Sequence, residues 1–384
     1  MTPQARLSAG IEVLDRILAG AAAEQALTNW GRGSRFAGSG DRAAVRDLVF
    51  DALRCKRSYA ALGGGLSGRG LVLGSLRDRG LDPAEWFTGL GHAPGVLTEA
   101  DAGSEASGNV ALDCPEWLAE PLQAALGDDF VGVMQALRRR APVYLRVNLA
   151  KATVAQAVAA LQAEGIICKL NQIAKTALEV TENARKIQSS ETYLSGLVEL
   201  QDAASQAVIE ALPLADGQRV LDYCSGGGGK ALAMATQAQI KLVAHDVDPR
   251  RMRDIPTRAA RAGVKISVAE TQSVGTGYDV ILTDVPCSGS GSWRRDPQGK
   301  WALTAARLAA LCQLQAEILD KVAGLLAPKG TLAYATCSML NAENEDQIAA
   351  FLARHPGWRN PLQRRFSPLQ GADGFFVALL TREA

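Results

Sequence analysis

Arg219-Val220-Leu221-Asp222-Tyr223-Cys224-Ser225-Gly226-Gly227-Gly228-Gly229-Lys230-Ala231-Leu232-Ala233-Met234 is the stretch whose reading decides the fold. An apolar run ends in an acid, passes through four glycines and opens a helical pattern. Glycines between a strand and a helix let backbone approach a ligand closely, and the helix N-terminus favours an anionic group there. The turn is not the phosphate loop of nucleotide hydrolases, because Ala231 follows Lys230 where that loop needs a magnesium-binding hydroxyl. It does not match GxGxxG either.

Outward from this turn, strand-like runs recur at Lys241-Leu242-Val243-Ala244, Lys265-Ile266-Ser267-Val268, Val280-Ile281-Leu282-Thr283 and Thr331-Leu332-Ala333-Tyr334-Ala335. Phe375 to Leu380 forms a last one, and helical patterns such as residues 303–326 separate most of them. This alternation predicts an α/β fold over residues 196–384, a doubly wound parallel sheet covered on both faces. Asp246 ends the second strand, where a carboxylate can accept both hydroxyls of a ribose; Asp248 competes for that role. Glu270 ends the third strand and is placed to meet an adenine amino group. Three successive strand ends then supply loop, ribose carboxylate and adenine contact, the layout of a nucleoside cofactor site. The candidate cofactor-binding residues are Cys224, Ser225, Gly226, Gly227, Gly228, Gly229, Lys230, Asp246, Glu270 and Asp284.

The fourth strand leads into Thr283-Asp284-Val285-Pro286-Cys287-Ser288-Gly289-Ser290-Gly291, and the fifth ends in Ala335-Thr336-Cys337-Ser338. Ligands of doubly wound sheets bind outside the carboxyl ends of the strands. If these two strands are neighbours, Cys287 and Cys337 face one pocket beside Asp284. A lone cysteine is ordinarily an inert small hydrophobe; two on adjacent strand-end turns suggest reactive thiols. The chain has seven cysteines with no CxxC pair, and its three histidines are far apart in sequence, so neither a metal site nor a disulfide framework is expected.

At 384 residues the chain is too long for one ordinary core. Its 47% hydrophobic and 21% charged residues are ordinary for a globular protein, and no run suits a membrane span. The first residues lead into an amphipathic helix and not a signal-peptide core, which points to the cytoplasm, with a monomer as the default. A formal charge of +1 gives no bulk attraction to nucleic acid, so phosphate binding would rest on local clusters. Candidates are Arg138-Arg139-Arg140, Arg250-Arg251 with Arg253, Arg294-Arg295 and Arg364-Arg365.

Residues 1–100 read as helical. Leu7, Ile11, Leu14 and Leu18 share one helix face, and Asp41 is placed to cap a second helix with Val45, Leu48, Val49 and Leu53 inward. A stretch poor in periodicity follows and ends in the small, acidic run 98–108, the best linker candidate. Residues 113–195 read as a small α+β module: strands at Val143 to Val147, Ile166 to Leu170 and Ala177 to Val180, with a helix over 154–164. Arg146 and Asn148 either close a turn there or contact a ligand.

Together these motifs resemble the Nop/Sun family of RNA cytosine-C5 methyltransferases, particularly its bacterial RsmB-like branch. The resemblance rests on the two cysteine motifs, Arg294-Arg295-Asp296-Pro297, Lys300-Trp301, Asn341-Ala342-Glu343-Asn344-Glu345 and Asp373-Gly374-Phe375-Phe376. Upstream it takes in Pro115-Glu116-Trp117-Leu118, Leu145-Arg146-Val147-Asn148 and residues 200–206, so it covers roughly residues 113–384. It implies a Rossmann-like class I methyltransferase domain with a seven-stranded sheet, an RNA-binding α+β module and an N-terminal NusB-like RNA-binding domain. It also implies S-adenosylmethionine as cofactor and RNA as partner, ribosomal more than transfer RNA.

Cytosine C5 attacks a methyl sulfonium only after a thiolate adds to C6, and a proton must then leave C5 before the thiolate is released. The residues alone do not say which thiol attacks. The resemblance assigns attack to Cys337 and product release to Cys287, with Lys230 near the methionine moiety and the base; Asp284, beside the first cysteine, is placed by its chemistry to hydrogen-bond the amino and N3 edge of the cytosine. Two departures stand out. The family's Cys-Ala-Ala-Pro-Gly-Gly-Lys loop here has Ser225-Gly226-Gly227, which predicts a floppier loop. Glu270 also stands where an aspartate is common. The rival readings are a transfer-RNA, DNA or small-molecule methyltransferase, and a non-catalytic RNA-binding protein carrying a decayed domain. Cys287, Cys337, Asp284 and Lys230 together count against decay.

Overall fold

The computed structural model describes residues 1–382. The chain divides into two compact units: Met1–Arg140 with Trp293–Ala302, and Ala141–Ser292 with the residues from Leu303 onward.

The first unit is helical. Helix α1 (Pro3–Leu18) starts where Thr2 Oγ1 accepts from Ala5 N at 3.1 Å, and it buries Leu7, Val13, Leu14 and Ile17. Helices α2 (Ala23–Gly33) and α3 (Ser39–Arg54) follow. Asp41 lies one turn inside α3 and not at its cap. Gly38 is the cap residue, and the Asp41 carboxylate reaches back to Gly38 N at 3.2 Å. That carboxylate also pairs with the N-terminal amine and with Arg6. Val45, Val49 and Leu53 point inward as expected.

Two helices, α4 (Lys56–Leu62) and α5 (Gly68–Asp78), occupy the stretch poor in periodicity. Leu71, Val72 and Leu73 are all buried, so α5 is apolar on several faces and shows no amphipathic stripe. Its backbone meets α4 directly: a Cβ on Gly74 would lie 2.0 Å from Tyr59 O. The acidic run after it is not a free linker. Asp101 is buried and paired with Arg69 at 2.8 Å, and its carbonyl accepts from Arg77 at 2.8 Å. Residues 113–140 are mainly helical and belong to this unit.

The segment Trp293–Ala302 completes the unit at the C-terminus of α3. A helix leaves its last carbonyls without intrahelical partners, and cations are favoured at that end. Trp301 Nε1 donates to Leu53 O at 2.6 Å and Lys300 Nζ to Arg54 O at 3.1 Å, while Arg54 Nε donates to Arg294 O at 2.8 Å. Lys300 is fully buried; burial pulls its ammonium down to about 8, against the attraction of Asp113.

The second unit holds two sheets. Strands β1 (Val143–Val147), β2 (Ile167–Leu170), β3 (Ala177–Glu182) and β4 (Val198–Leu200) form an antiparallel sheet in the order β2-β3-β1-β4. A helix over Val154–Ala163 packs on it, capped by Thr153. The larger sheet contains β5 (Arg219–Asp222), β6 (Lys241–Ala244), β7 (Ser267–Val268), β8 (Tyr278–Asp284), β9 (Leu326–Thr336), β10 (Trp358–Phe366) and β11 (Phe375–Arg382). Their order is β10-β11-β9-β8-β5-β6-β7. β7, β6, β5, β8 and β9 are mutually parallel, and β11 runs antiparallel to both β9 and β10.

This is the Rossmann-like methyltransferase sheet. β5 lies where the order reverses, with β6 on one side and β8 on the other, so the ends of β5, β6, β8 and β9 open onto one crevice. The sequence reading misses β10, an edge strand with Pro361, Arg364 and Arg365 and little burial, which lacks the apolar run of its neighbours.

Candidate functional site

Beyond β5 the chain turns through Tyr223 to Gly228 and enters helix Gly229–Gln237. Two glycines are required by geometry. Gly226 has φ +51°, and Gly228 has φ +79° and no room for a Cβ, which would lie 2.7 Å from Ile255 Cγ1. Hydrogen bonds span the turn that lacks the proline. Ser225 N donates to His245 O at 2.8 Å, Gly226 N to Asp246 Oδ2 at 2.9 Å, and Gly228 N to Ser225 O at 2.9 Å. Arg146 of β1 braces it from the smaller sheet: buried, it donates to Gly229 O at 2.9 Å and to Gln201. Asn148 is likewise spent on backbone, donating to Gly196 O and Ala262 O.

A cavity of about 400 Å³ opens at the strand ends, lined by Asp222, Cys224, Ser225, Gly226, Gly227, Gly229, Lys230, Asp284, Cys287 and Cys337. Beside it lies a second of about 250 Å³, lined by Asp246, Val247, Leu314, Ile318 and Lys321 among others. Cys224, Arg251 and Pro286 line both. Asp246 is buried, its carboxylate accepting from Gly226 N, Asp248 N and Arg251. Asp248 lines neither cavity and pairs with Arg250. Gly228 and Glu270 also line neither; Glu270 is exposed and accepts from Gln272.

Asp222, which the sequence reading passes over as a site residue, is fully buried in the first cavity, and neither oxygen makes a well-formed hydrogen bond. Burial, then the Asp284 charge, pushes its carboxyl up to about 7; Lys230 and the nearby Ser225 hydroxyl offset this only in part. Lys230 Nζ sits 2.6 Å from Asp284 Oδ2 and 5.0 Å from the Phe375 ring centre. Burial works against its charge, but the Asp284 carboxylate outweighs burial, and the ammonium is held above its ordinary range.

Cys287 and Cys337 come from the turns after β8 and β9, and their sulfurs lie 3.4 Å apart. Hydrogen bonding to Cys337, followed by burial, pushes the Cys287 thiol well above its ordinary value. Burial pushes the third thiol of the cavity, Cys224, up to about 12, so it stays protonated at neutral pH.

One buried carboxylate ties the two cysteine turns together. Glu343 accepts from Ser288 N at 2.7 Å, from the hydroxyls of Ser288 and Ser338, and from Gln315 Nε2 at 3.1 Å. Ser288 and Ser338 each follow a cysteine. Asn344 holds the same turn, donating to Ser338 O at 2.9 Å and accepting from Thr336 at 2.6 Å. In the sequence, Glu343 and Asn344 stand out only through the family resemblance, because a buried acid shows no pattern until its donors are folded around it. Among the described residues, no group of side chains suits a metal ion, and no helix is long and apolar enough to cross a membrane.

Sheet order and crevice define the class: a methyltransferase of the Rossmann-like kind. A family profile described as 16S rRNA methyltransferase RsmB/F matches residues 209–381, and an RsmF/B-like ferredoxin-like domain matches residues 114–188. Ribosomal RNA small subunit methyltransferase B of Klebsiella pneumoniae subsp. pneumoniae is 36% identical over 286 residues, covering 70% of this chain and 66% of the relative. The proteins of the same name from Vibrio vulnificus and Xylella fastidiosa are 33% and 35% identical, each covering 70% of this chain and 67% and 68% of the relative. A methyltransferase homolog from Pyrococcus horikoshii is 26% identical, with a TM-score of 0.62 over 72% of this chain and 97% of its own. The crystal structure of a protein designated PH0851 superposes over 100% of this chain and 99% of its own, at a TM-score of 0.79 and 22% identity. The chain belongs to the RsmB/F family of methyltransferases, and it spans about two thirds of the length of the curated relatives it matches.

Proposed function

We propose that this protein transfers a methyl group from S-adenosylmethionine to C5 of a cytosine in RNA, with small-subunit ribosomal RNA the favoured substrate. The observation that carries this reading is the meeting of Cys287 and Cys337 at 3.4 Å in a cavity that also holds the Lys230–Asp284 pair.

The pocket chemistry fits the cofactor. Unpartnered and buried, Asp222 suits the ammonium of a methionine moiety, and the backbone amides of the glycine turn suit its carboxylate. In the second cavity, Asp246 suits ribose hydroxyls and Val247 with Ile318 the faces of an adenine. Cofactor bound there supplies an electrophilic methyl group.

The protein's own residues do the rest. Cys337 adds as thiolate to C6 of the cytosine, which moves electron density onto C5. Asp284 accepts from the cytosine amino group and fixes the edge of the base, while the Lys230 ammonium paired with it offsets the negative charge that builds during attack. After methylation water takes the C5 proton, the C5–H electrons restore the C5–C6 double bond, and the Cys337–C6 bond breaks to return the thiolate, to which the Cys287 thiol donates its hydrogen. The thiol kept protonated beside the nucleophile suits that second role.

Bisulfite sequencing of total RNA from cells with and without the gene tests the reading. One ribosomal cytosine should lose its protection in the deletion strain. Loss at a transfer RNA would reassign the substrate, and no change at any cytosine would refute the activity.

A further inference from the structure

Arginines adjacent in sequence are largely spent on partners inside the fold. Arg138 pairs with Asp113 and Asp78, Arg140 with Asp47, Arg251 with Asp246 and Arg365 with Glu345. A basic site instead assembles from α2 and α3 of the helical unit, at positions too scattered to register as a cluster. A cleft of about 410 Å³ there has Leu27, Trp30 and Ala43 in its lining, with Arg32, Arg42 and Arg46 beside them.

The three arginines are not equivalent. Arg42 is pinned, its Nε donating to Ala37 O at 3.0 Å, and it lies close over α2, where a Cβ on Gly31 would stand 3.5 Å from its Nη1. Arg46 gives both terminal nitrogens to Glu24 at 2.6 Å each. Arg32 is exposed and makes no hydrogen bond or ion pair among the described residues. The lining thus holds three guanidinium groups and no carboxylate, with Glu24 and Asp47 acting on Arg46 from outside it, in a chain whose total charge is only +1.

We propose that this cleft binds an unpaired nucleotide of the RNA substrate, its phosphate on Arg32 and Arg42 and its base against the apolar lining. The inference rests on the RNA reading above and adds where the helical unit grips that RNA. Guanidinium forks match phosphate oxygens, and unstacked bases of single-stranded RNA settle on apolar and guanidinium faces. A chain of aspartates or glutamates would satisfy the arginines but brings no flat ring to set against the edges of Leu27 and Trp30, which are themselves largely buried. Glu24 keeps Arg46 engaged, so removing its charge frees a third guanidinium for the phosphate and strengthens binding.

Two opposite substitutions in the full-length protein test this. The substrates are an unmodified in vitro transcript of small-subunit ribosomal RNA for methylation and a twelve-nucleotide single-stranded RNA for binding at several salt concentrations. Arg32→Glu should raise the KM for the transcript several-fold, with the loss in KM and not in kcat. It should also flatten the salt dependence of oligonucleotide binding by about 0.7 for each phosphate that the cleft no longer neutralises. Glu24→Gln should lower KM. If both variants match the parent in KM and salt slope, the proposal is overturned; so it is if poly-glutamate displaces the oligonucleotide at equal charge concentration, which would give the cleft to an acidic protein. A parent protein that methylates no RNA strikes the activity instead, and the oligonucleotide series still judges the cleft.

Discussion

Cys287 and Cys337, fifty residues apart in sequence, hold their sulfurs 3.4 Å from each other. That is within hydrogen-bonding distance for a thiol, so either sulfur can donate to the other once that other is a thiolate.

Replacing each thiol separates the roles. Cys337→Ala should abolish methyl transfer and leave no protein–RNA adduct. Cys287→Ala should still attack but release slowly, trapping protein on RNA. Denaturing gels with substrate RNA read this directly, and an adduct seen only with Cys337→Ala would invert the assignment.

Glu343 acts through the turns it holds. Glu343→Gln keeps the shape but loses acceptors for Ser288 and Ser338, letting the two cysteines drift apart. Because misplacement of reacting groups by about 1 Å costs on the order of a hundredfold, kcat should fall by about ten- to a hundredfold with little change in the KM for RNA. Steady-state kinetics with an unchanged melting temperature would separate positioning from unfolding.

Asp222 gives the ligand-free protein a pH signature. Its carboxyl is raised to about 7 by burial, so the folded state holds a proton that the unfolded chain releases near 4. Stability from this group is therefore complete below about pH 4 and is lost as pH rises toward 7, by up to about 1.4 kcal/mol per unit. Urea denaturation between pH 5 and 8 should show that slope in the parent and a flatter one in Asp222→Asn.

Arg146 reaches from the smaller sheet to the glycine turn. Arg146→Met removes the brace, and cofactor affinity should fall by about tenfold, equivalent to about 1.4 kcal/mol. Calorimetric titration with S-adenosylhomocysteine measures it; an unchanged Kd would show that the turn stands without its brace.

What the sequence makes legible here is whatever repeats or is chemically rare. The glycine turn after β5, the alternation of strands and helices, and the two cysteine turns all carry local signals, and the sheet follows them. Elements whose logic is tertiary stay hidden. α5 is enclosed and glycine-rich, so it shows no stripe. β10 is a charged edge strand. Asp222 and Glu343 are acids whose meaning depends on what surrounds them after folding, and Asp41 looks like a cap because its further partners, Met1 and Arg6, are invisible to a short window. The arginine pairs mislead for the same reason: adjacency in the chain says nothing about which carboxylates wait across the fold.

The helical unit borrows Trp293 through Ala302 from far downstream, burying Trp293 and Lys300. It is therefore not a removable cassette. A gene cut at Arg140 would leave the front fragment with the α3 carbonyls of Leu53 and Arg54 stripped of their caps, and the back fragment with an indole and an ammonium that have lost their burial sites. Shuffling by recombination at that junction would break both pieces at once, so the two units are bound to be inherited together.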